Sequence, residues 1–351
     1  MKHIHGGDIY ADNWNEEPLD FSANINPLGM PDSVREAAQQ AIADCLHYPD
    51  PFCRALRRAI AARNAVTPQQ IFCGNGAADV LYRLMLTLAP KKILLPAPTF
   101  AEYEEAARLV GSEIVRFPLG SDLTVTQAYW DAVTPDIDLV VLCNPNNPTS
   151  SAITQEELRR LIGFCAEKNI FVMIDETYVE FAPDINAITA VPLTREFTNL
   201  MVLRGVSKFF AAPGMRLGYG ITGNMNFLAK MREKQTPWSL NSIGAFAGEI
   251  MLQDEEYIRN TRELILSERV RIISELKKVP TYKVYPAYAN FILLRIRKEG
   301  LTSYDVFEAC IRQGLMIRDC SSFQCLDGEF IRFCIMMPKD NSRLIDVLKA
   351  L

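Results

Sequence analysis

Four short stretches of this chain carry residue types that do chemistry. Val202-Leu203-Arg204-Gly205-Val206-Ser207-Lys208 ends in a lysine set between an apolar run and Phe209-Phe210. A lysine partly desolvated there holds its proton less tightly and offers a neutral amine nucleophile; a solvated surface charge is the plainer reading. Phe171-Val-Met-Ile-Asp175-Glu176-Thr177-Tyr178 puts Asp175 at the end of a wholly apolar run. A carboxylate is costly there unless a cation meets it, although an aspartate after a strand also serves as a helix N-cap. In Cys73-Gly74-Asn75-Gly76-Ala77-Ala78-Asp79 small residues permit close backbone approach, and the helix that follows presents free N–H groups to an anion. The same stretch also reads as a tight turn. It lacks the Gly-Lys-Ser/Thr of a Walker loop. It also lacks the third glycine of a dinucleotide fingerprint and the acidic end of the next strand, which finishes at Leu95-Pro96. In Asn144-Pro145-Asn146-Asn147-Pro148-Thr149 two prolines stiffen a loop from which Asn147 offers an amide donor, or which is simply an Asn-Pro turn. Arg216, a few residues past Lys208, binds an anion or closes an ion pair.

Singly, each stretch has an ordinary structural explanation. Jointly they supply an anion cup, an amide donor, a buried carboxylate, an amine nucleophile and an arginine. Those are the needs of pyridoxal 5'-phosphate: a phosphate held at a helix N-terminus, a lysine that carries the coenzyme, and a carboxylate on the pyridinium nitrogen.

The elements that must position these groups follow from the hydrophobic pattern. Apolar runs at Ile71–Cys73, Ile93–Leu95, Ile114–Phe117, Leu139–Cys143, Ile170–Ile174 and Leu200–Leu203 alternate with helical patterns at Ala77–Leu88, Phe100–Val110 and Gln155–Lys168. Thr154 with Glu157 three residues on predicts a capping box for the last of these. The alternation predicts an α/β layer with a mostly parallel sheet between helices, whose ligands sit beyond the carboxyl ends of the strands. Outside it the sequence predicts a helix over Asp32–Cys45, long helices over roughly Ile243–Leu276, strands near Asn290–Arg295 and Phe330–Ile335, and helices near Ser303–Gln313 and Ser342–Ala350. The organisation expected is an N-terminal arm with part of a small domain (1–45), a large coenzyme-binding domain (46–245), and a small α+β C-terminal domain (246–351).

Composition narrows the function classes. With 351 residues, 49% hydrophobic and 23% charged, the chain has ample apolar surface for a folded core. A formal net charge of −5 gives no general attraction to nucleic acid or an anionic membrane. No stretch approaches the roughly 18 uninterrupted apolar residues of a membrane span, and Met1-Lys2-His3-Ile4-His5 lacks the apolar core of a signal peptide. Nine cysteines without a CxxC pair read as reduced, mostly buried thiols of a cytoplasmic protein. Three histidines without HExxH argue against a metal site.

With these motifs in view, the sequence resembles the fold-type I pyridoxal-phosphate enzymes, with an aspartate aminotransferase-like fold, in the branch that holds the histidinol-phosphate aminotransferases. The resemblance implies that Lys208 carries the coenzyme and Asp175 pairs its ring nitrogen. Asn147 and Tyr178 would hydrogen-bond the ring hydroxyl, and Tyr103 would stack on the ring. Gly76, Ala77, Ser207 and Arg216 would hold the phosphate. Tyr48 would reach the phosphate of a partner subunit, so a homodimer is implied. His5-Gly6-Gly7, Leu19-Asp-Phe-Ser-Ala-Asn24-Ile-Asn-Pro-Leu-Gly-Met-Pro31 and Thr236-Pro-Trp-Ser-Leu-Asn241 look more closely like the threonine-phosphate decarboxylases of cobalamin synthesis. That likeness implies a small phosphorylated amino acid as substrate, held by His5, Gly6, Asn24, Asn147, Arg318 and Arg332. Two arginines suit a molecule bearing both a carboxylate and a phosphate. The sequence departs from the resemblance at Gly205, where relatives often carry a hydroxyl residue, and at Ser150, where a glycine is usual.

Overall fold

The computed structural model describes residues 18–351. In chain order it runs β1 (Leu19–Asp20), α1 (Asp32–Asp44), α2 (Arg54–Asn64), β2 (Ile71–Gly74), α3 (Ala77–Leu88), β3 (Lys92–Ala97), α4 (Glu102–Leu109), β4 (Glu113–Pro118), α5 (Gln127–Asp131), β5 (Leu139–Cys143), α6 (Gln155–Glu167), β6 (Phe171–Asp175), β7 (Leu200–Gly205) and β8 (Gly218–Ile221). It continues with α7 (Met225–Glu233), α8 (Ser242–Met251), α9 (Glu255–Leu276), β9 (Tyr282–Val284), β10 (Phe291–Ile296), α10 (Ser303–Ile311), β11 (Leu315–Met316), β12 (Arg318–Asp319), β13 (Phe330–Cys334) and α11 (Pro338–Ala350).

Seven strands form the large sheet in the order β2-β8-β7-β6-β5-β3-β4. Only β8 runs antiparallel to its neighbours, so β2 points the same way as the parallel set. The central strands read as unbroken apolar runs because both faces are covered. Along β5, Leu139, Val141 and Cys143 pack with Leu84, Met85 and Tyr103 of α3 and α4. The intervening Val140 and Leu142 pack on the other side with Leu158, Leu161 and Ile162 of α6. The capping box that starts α6 is formed: the Glu157 N–H donates to Thr154 Oγ1, and the Thr154 N–H to Glu157 Oε2. The smaller sheet is antiparallel, β12-β13-β10-β9, and its register sets Arg318 directly opposite Arg332. The fold is thus the expected α/β layer with a smaller α+β part.

The helices expected between Ile243 and Leu276 are α8 and α9, divided where Asp254 caps the second by accepting from the Tyr257 N–H. The structure departs from the sequence pattern elsewhere, and adds the unexpected helices α5 and α7. Helix α2 was not anticipated, since five of its eleven residues are charged or polar and it buries only Leu56, Ile60 and Ala61. Strand β8, Gly-Tyr-Gly-Ile, is too short and glycine-rich to show strand periodicity. The short strands β1, β9, β11 and β12 were also unanticipated, each too brief for a pattern to show.

The glycines of β8 have a packing reason. A Cβ at Gly218 would overlap the backbone of Gly76 and Ala77, where α3 begins. Overfilling such a contact costs about 1–3 kcal/mol. Gly218→Ala is therefore expected to lower stability by that amount in urea unfolding; an unchanged midpoint would mean that the start of α3 moves aside without cost.

Candidate active site

The carboxyl ends of β3, β5, β6 and β7 open onto a cavity of about 550 Å³, lined among others by Ala97, Cys143, Asp175 and Leu203. The loops after these strands bring together most of the residues singled out by sequence. Asn24, Ala77, Tyr103, Asn147, Asp175, Tyr178, Ser207, Lys208, Arg216, Arg318 and Arg332 all line it.

Asp175 is buried at its floor. Its Oδ1 accepts from the Thr177 N–H at 2.9 Å and the Thr177 hydroxyl at 2.6 Å, and its Oδ2 from the Tyr103 hydroxyl at 2.8 Å. Burial raises its pKa, opposed by these three donors. It caps no α-helix, and among the described residues it takes part in no ion pair. Its neighbour Glu176 is the opposite case: equally buried, it is met by Arg204 at 2.7 Å, the Thr189 hydroxyl and the Ala190 N–H. The expected cation is therefore supplied to Glu176 and withheld from Asp175.

Lys208 follows β7 and reaches back to the N-terminal segment, where its Nζ donates to the Ala23 carbonyl at 2.6 Å. Burial, reinforced by the charge of Arg332, lowers its pKa to about 8. Arg332 lies in the core of β13, donates to the Ser22 carbonyl at 2.6 Å and also to Asn147 Oδ1, and sits over the Phe291 ring. It forms no ion pair among the described residues, and its Nε has no partner there. Arg318 donates to Ser322 Oγ at 2.6 Å and faces the Phe323 ring. Asn24, with φ +58°, donates to Tyr178 Oη at 3.2 Å, while its own buried Oδ1 has no partner among the described residues. Burial pushes the Tyr178 hydroxyl up to about 12.

The anion cup is built by close approach. Gly76 has φ +90°, and a Cβ on it would overlap the guanidinium of Arg216. Arg216 itself reaches the carbonyls of Pro213 and Asn75. At Gly205 a Cβ would press on the Ala77 methyl at 3.3 Å, so the departure there keeps room for the first turn of α3. At Ser150 the departure is used: the residue adopts φ +57°, and its hydroxyl accepts the N–H groups of Tyr288 and Ala289.

Tyr48 stands outside the cavity, 81% exposed, beside Trp238 at 5.0 Å between ring centroids. His5 and Gly6 lie outside the described residues. Conversely, sequence reasoning missed the carbonyls of Ser22 and Ala23, which leave no side-chain signal. It also missed Thr177, whose place two residues after an aspartate is the spacing of a local Asx turn.

Comparison with known proteins bears on this arrangement. The profile of the family described as aminotransferase class I and II matches residues 16–348. The chain belongs to that family. It is 35% identical over 337 residues to the threonine-phosphate decarboxylase of Salmonella typhimurium, covering 95% of this chain and 91% of that one. Among solved structures it resembles the histidinol-phosphate aminotransferase from Clostridium acetobutylicum (TM-score 0.88, 33% identity, covering 95% and 98% of the two chains). It also resembles the L-threonine-O-3-phosphate decarboxylase from Porphyromonas gingivalis (TM-score 0.83, 25% identity, covering 94% and 98%). Family membership makes this a pyridoxal-phosphate-dependent enzyme. The residues present fit that coenzyme: a buried carboxylate without a cation, a lysine of lowered pKa, and a glycine cradle under Arg216.

The lowered pKa of Lys208 has a direct readout. In the coenzyme-free protein the amine is protonated below about pH 8 and reactive above it, well under the ordinary lysine value of about 10.4. Labelling of Lys208 by trinitrobenzenesulfonate, followed by peptide mapping, is expected to rise with a midpoint near pH 8. Arg332→Gln should move that midpoint upward by removing a neighbouring positive charge; an ordinary lysine midpoint in the unaltered protein would contradict the burial seen here.

Proposed function

We propose that this enzyme decarboxylates L-threonine O-3-phosphate to (R)-1-amino-2-propanol O-2-phosphate, a step toward the nucleotide loop of cobalamin. The observation that carries this reading is the pair of buried arginines, Arg318 and Arg332, set opposite each other on adjoining strands and lining one cavity with Asp175 and Lys208. A substrate with a carboxylate and a phosphate uses both, and each charge-assisted contact contributes about 1.5–3 kcal/mol. Similarity to two threonine-phosphate decarboxylases supports the same substrate.

When bound, the coenzyme supplies an electron-accepting ring that stabilises the negative charge left at Cα when one of its bonds breaks. Lys208 would carry it. Asp175 would pair the ring nitrogen, Asn147 and Tyr178 the ring hydroxyl, and Tyr103 would stack on the ring. Gly76, Ala77, Ser207 and Arg216 would hold the phosphate. Arg332, braced by Ser22 and Asn147, takes one anionic group of the substrate, and Arg318 the other. Asn24 offers its free Oδ1 to a substrate donor, with His5 and Gly6 closing the same side. The residues that hold the substrate's two anionic groups would set its orientation at Cα, and with it whether the carboxylate or the Cα proton is released. With its pKa near 8, the Lys208 amine is suited to hold or deliver a proton at Cα.

The protein is proposed to act as a cytoplasmic homodimer. Leu46, Tyr48 and Phe52 are 90%, 81% and 60% exposed, with Tyr48 beside Trp238, and a partner would cover them while Tyr48 reaches its phosphate cup. Sedimentation is expected to give twice the chain mass of 39.5 kDa; a monomer that binds coenzyme fully would remove Tyr48 from the site.

A second reading, amino transfer from a phosphorylated amino acid or amine such as histidinol phosphate, is favoured by the likeness to the Clostridium enzyme. One assay separates the two. Incubation with L-threonine phosphate, and in parallel L-serine phosphate, is expected to release CO2 and the amino-alcohol phosphate with no keto acid present. Glutamate formed from 2-oxoglutarate and histidinol phosphate, without CO2, would establish the second. Lys208→Ala should abolish turnover and the visible absorbance of bound coenzyme. Arg332→Ala should lower kcat/KM about ten- to hundred-fold.

A further inference from the structure

The way Asp175 is held goes beyond what a buried carboxylate needs. Thr177 lies two residues past it, outside β6, and serves one oxygen twice, through its N–H at 2.9 Å and its hydroxyl at 2.6 Å. Any residue at 177 supplies the first donor; only a hydroxyl residue supplies the second. Among the described residues, the Thr177 hydroxyl makes this one side-chain hydrogen bond. The adjoining strand end leaves it room, since even a Cβ at Gly205 would stand 3.7 Å from Oγ1. The other ionisable groups facing Asp175 are Tyr103 from α4, Cys143 from the paired end of β5, and Tyr178 from its own loop. Burial raises the pKa of all three, so each stays neutral and none balances the carboxylate.

We propose that Thr177 is a positioning residue for the coenzyme: its hydroxyl fixes the plane of the Asp175 carboxylate and keeps it ionised, so that the shared proton stays on the ring nitrogen. The inference rests on the reading of Asp175 as that nitrogen's partner. A hydrogen bond to a carboxylate favours the charged form. Removing one makes the carboxylate a stronger base, and the proton between it and the ring moves toward the oxygen. A ring nitrogen without its proton is a poorer electron acceptor, so turnover falls while substrate contacts, which lie on Arg318 and Arg332, are unchanged.

The test uses holoenzyme loaded with pyridoxal phosphate labelled with 15N in the ring, observed by NMR at neutral pH. The unaltered enzyme and Thr177→Ser should show a protonated ring nitrogen. Thr177→Val, similar in shape but without the hydroxyl, should shift the signal toward the unprotonated form. Its kcat should drop about ten-fold with KM unchanged. Should Thr177→Val fail to take up coenzyme, Thr177→Ala carries the same comparison. An unshifted signal in the variant lacking the hydroxyl overturns the proposal, as does a Thr177→Ser signal that moves as far. Asp175→Ala separates the underlying reading: if the ring nitrogen keeps its proton there, the pairing itself is wrong.

Discussion

A carboxylate taken out of water must be met by hydrogen-bond donors or by positive charge, and the cost of leaving it short is several kcal/mol. At Asp175 the protein provides three donors and withholds the cation. The surrounding fold is arranged to make that stable. The aspartate ends the central strand of a sheet covered on both faces, so its backbone is fixed by β5 and β7 on either side. Its donors come from the turn that follows and from α4, while the adjacent Glu176 absorbs Arg204, the one arginine of β7. The positive charge missing from Asp175 is thereby reserved for a ligand.

The cavity wall also carries cations. Lys208, Arg318 and Arg332 line it, and burial together with the charge of Arg332 lowers the pKa of Lys208 and of Arg318. Close-set positive groups are tolerated because backbone carbonyls and aromatic faces take part of their charge. A wall of this kind favours an anionic guest, and the same repulsion that destabilises it when empty is relieved when that guest arrives.

Much of this was legible in the chain. The strand ends could be read because apolar runs covered on both faces are continuous, and their loops then had to gather at one edge of the sheet. Asp175 and Lys208 stood out as charged residues terminating such runs. What could not be read falls into two kinds. Helix α2 and strand β8 owe their form to tertiary contact, through Leu56 and Ile60 in one case and through the tight fit of Gly218 against α3 in the other, and neither leaves a period. The partners of Lys208 and Arg332 are main-chain oxygens, and an oxygen common to every residue has no signature in a one-letter code. The swap of cation between Asp175 and Glu176 was invisible for a third reason: two adjacent carboxylates look alike until the strands on either side are in place.

The segment from Asp20 to Asn24 is tied at both ends. Asp20 Oδ1 gathers the N–H groups of Ser22 and Ala23, the Phe21 N–H donates to the Met316 carbonyl of β11 while its carbonyl accepts from Cys334 of β13, and the Asn24 carbonyl accepts from Asn290. From this strap the two acceptors project toward Lys208 and Arg332. Because they belong to the peptide backbone, no side chain supplies them, although the buried Ser22 hydroxyl steadies the strap by donating to Asp20 Oδ1. Inserting or deleting one residue there would pull both acceptors out of register together, so the strap is constrained in length as well as in composition.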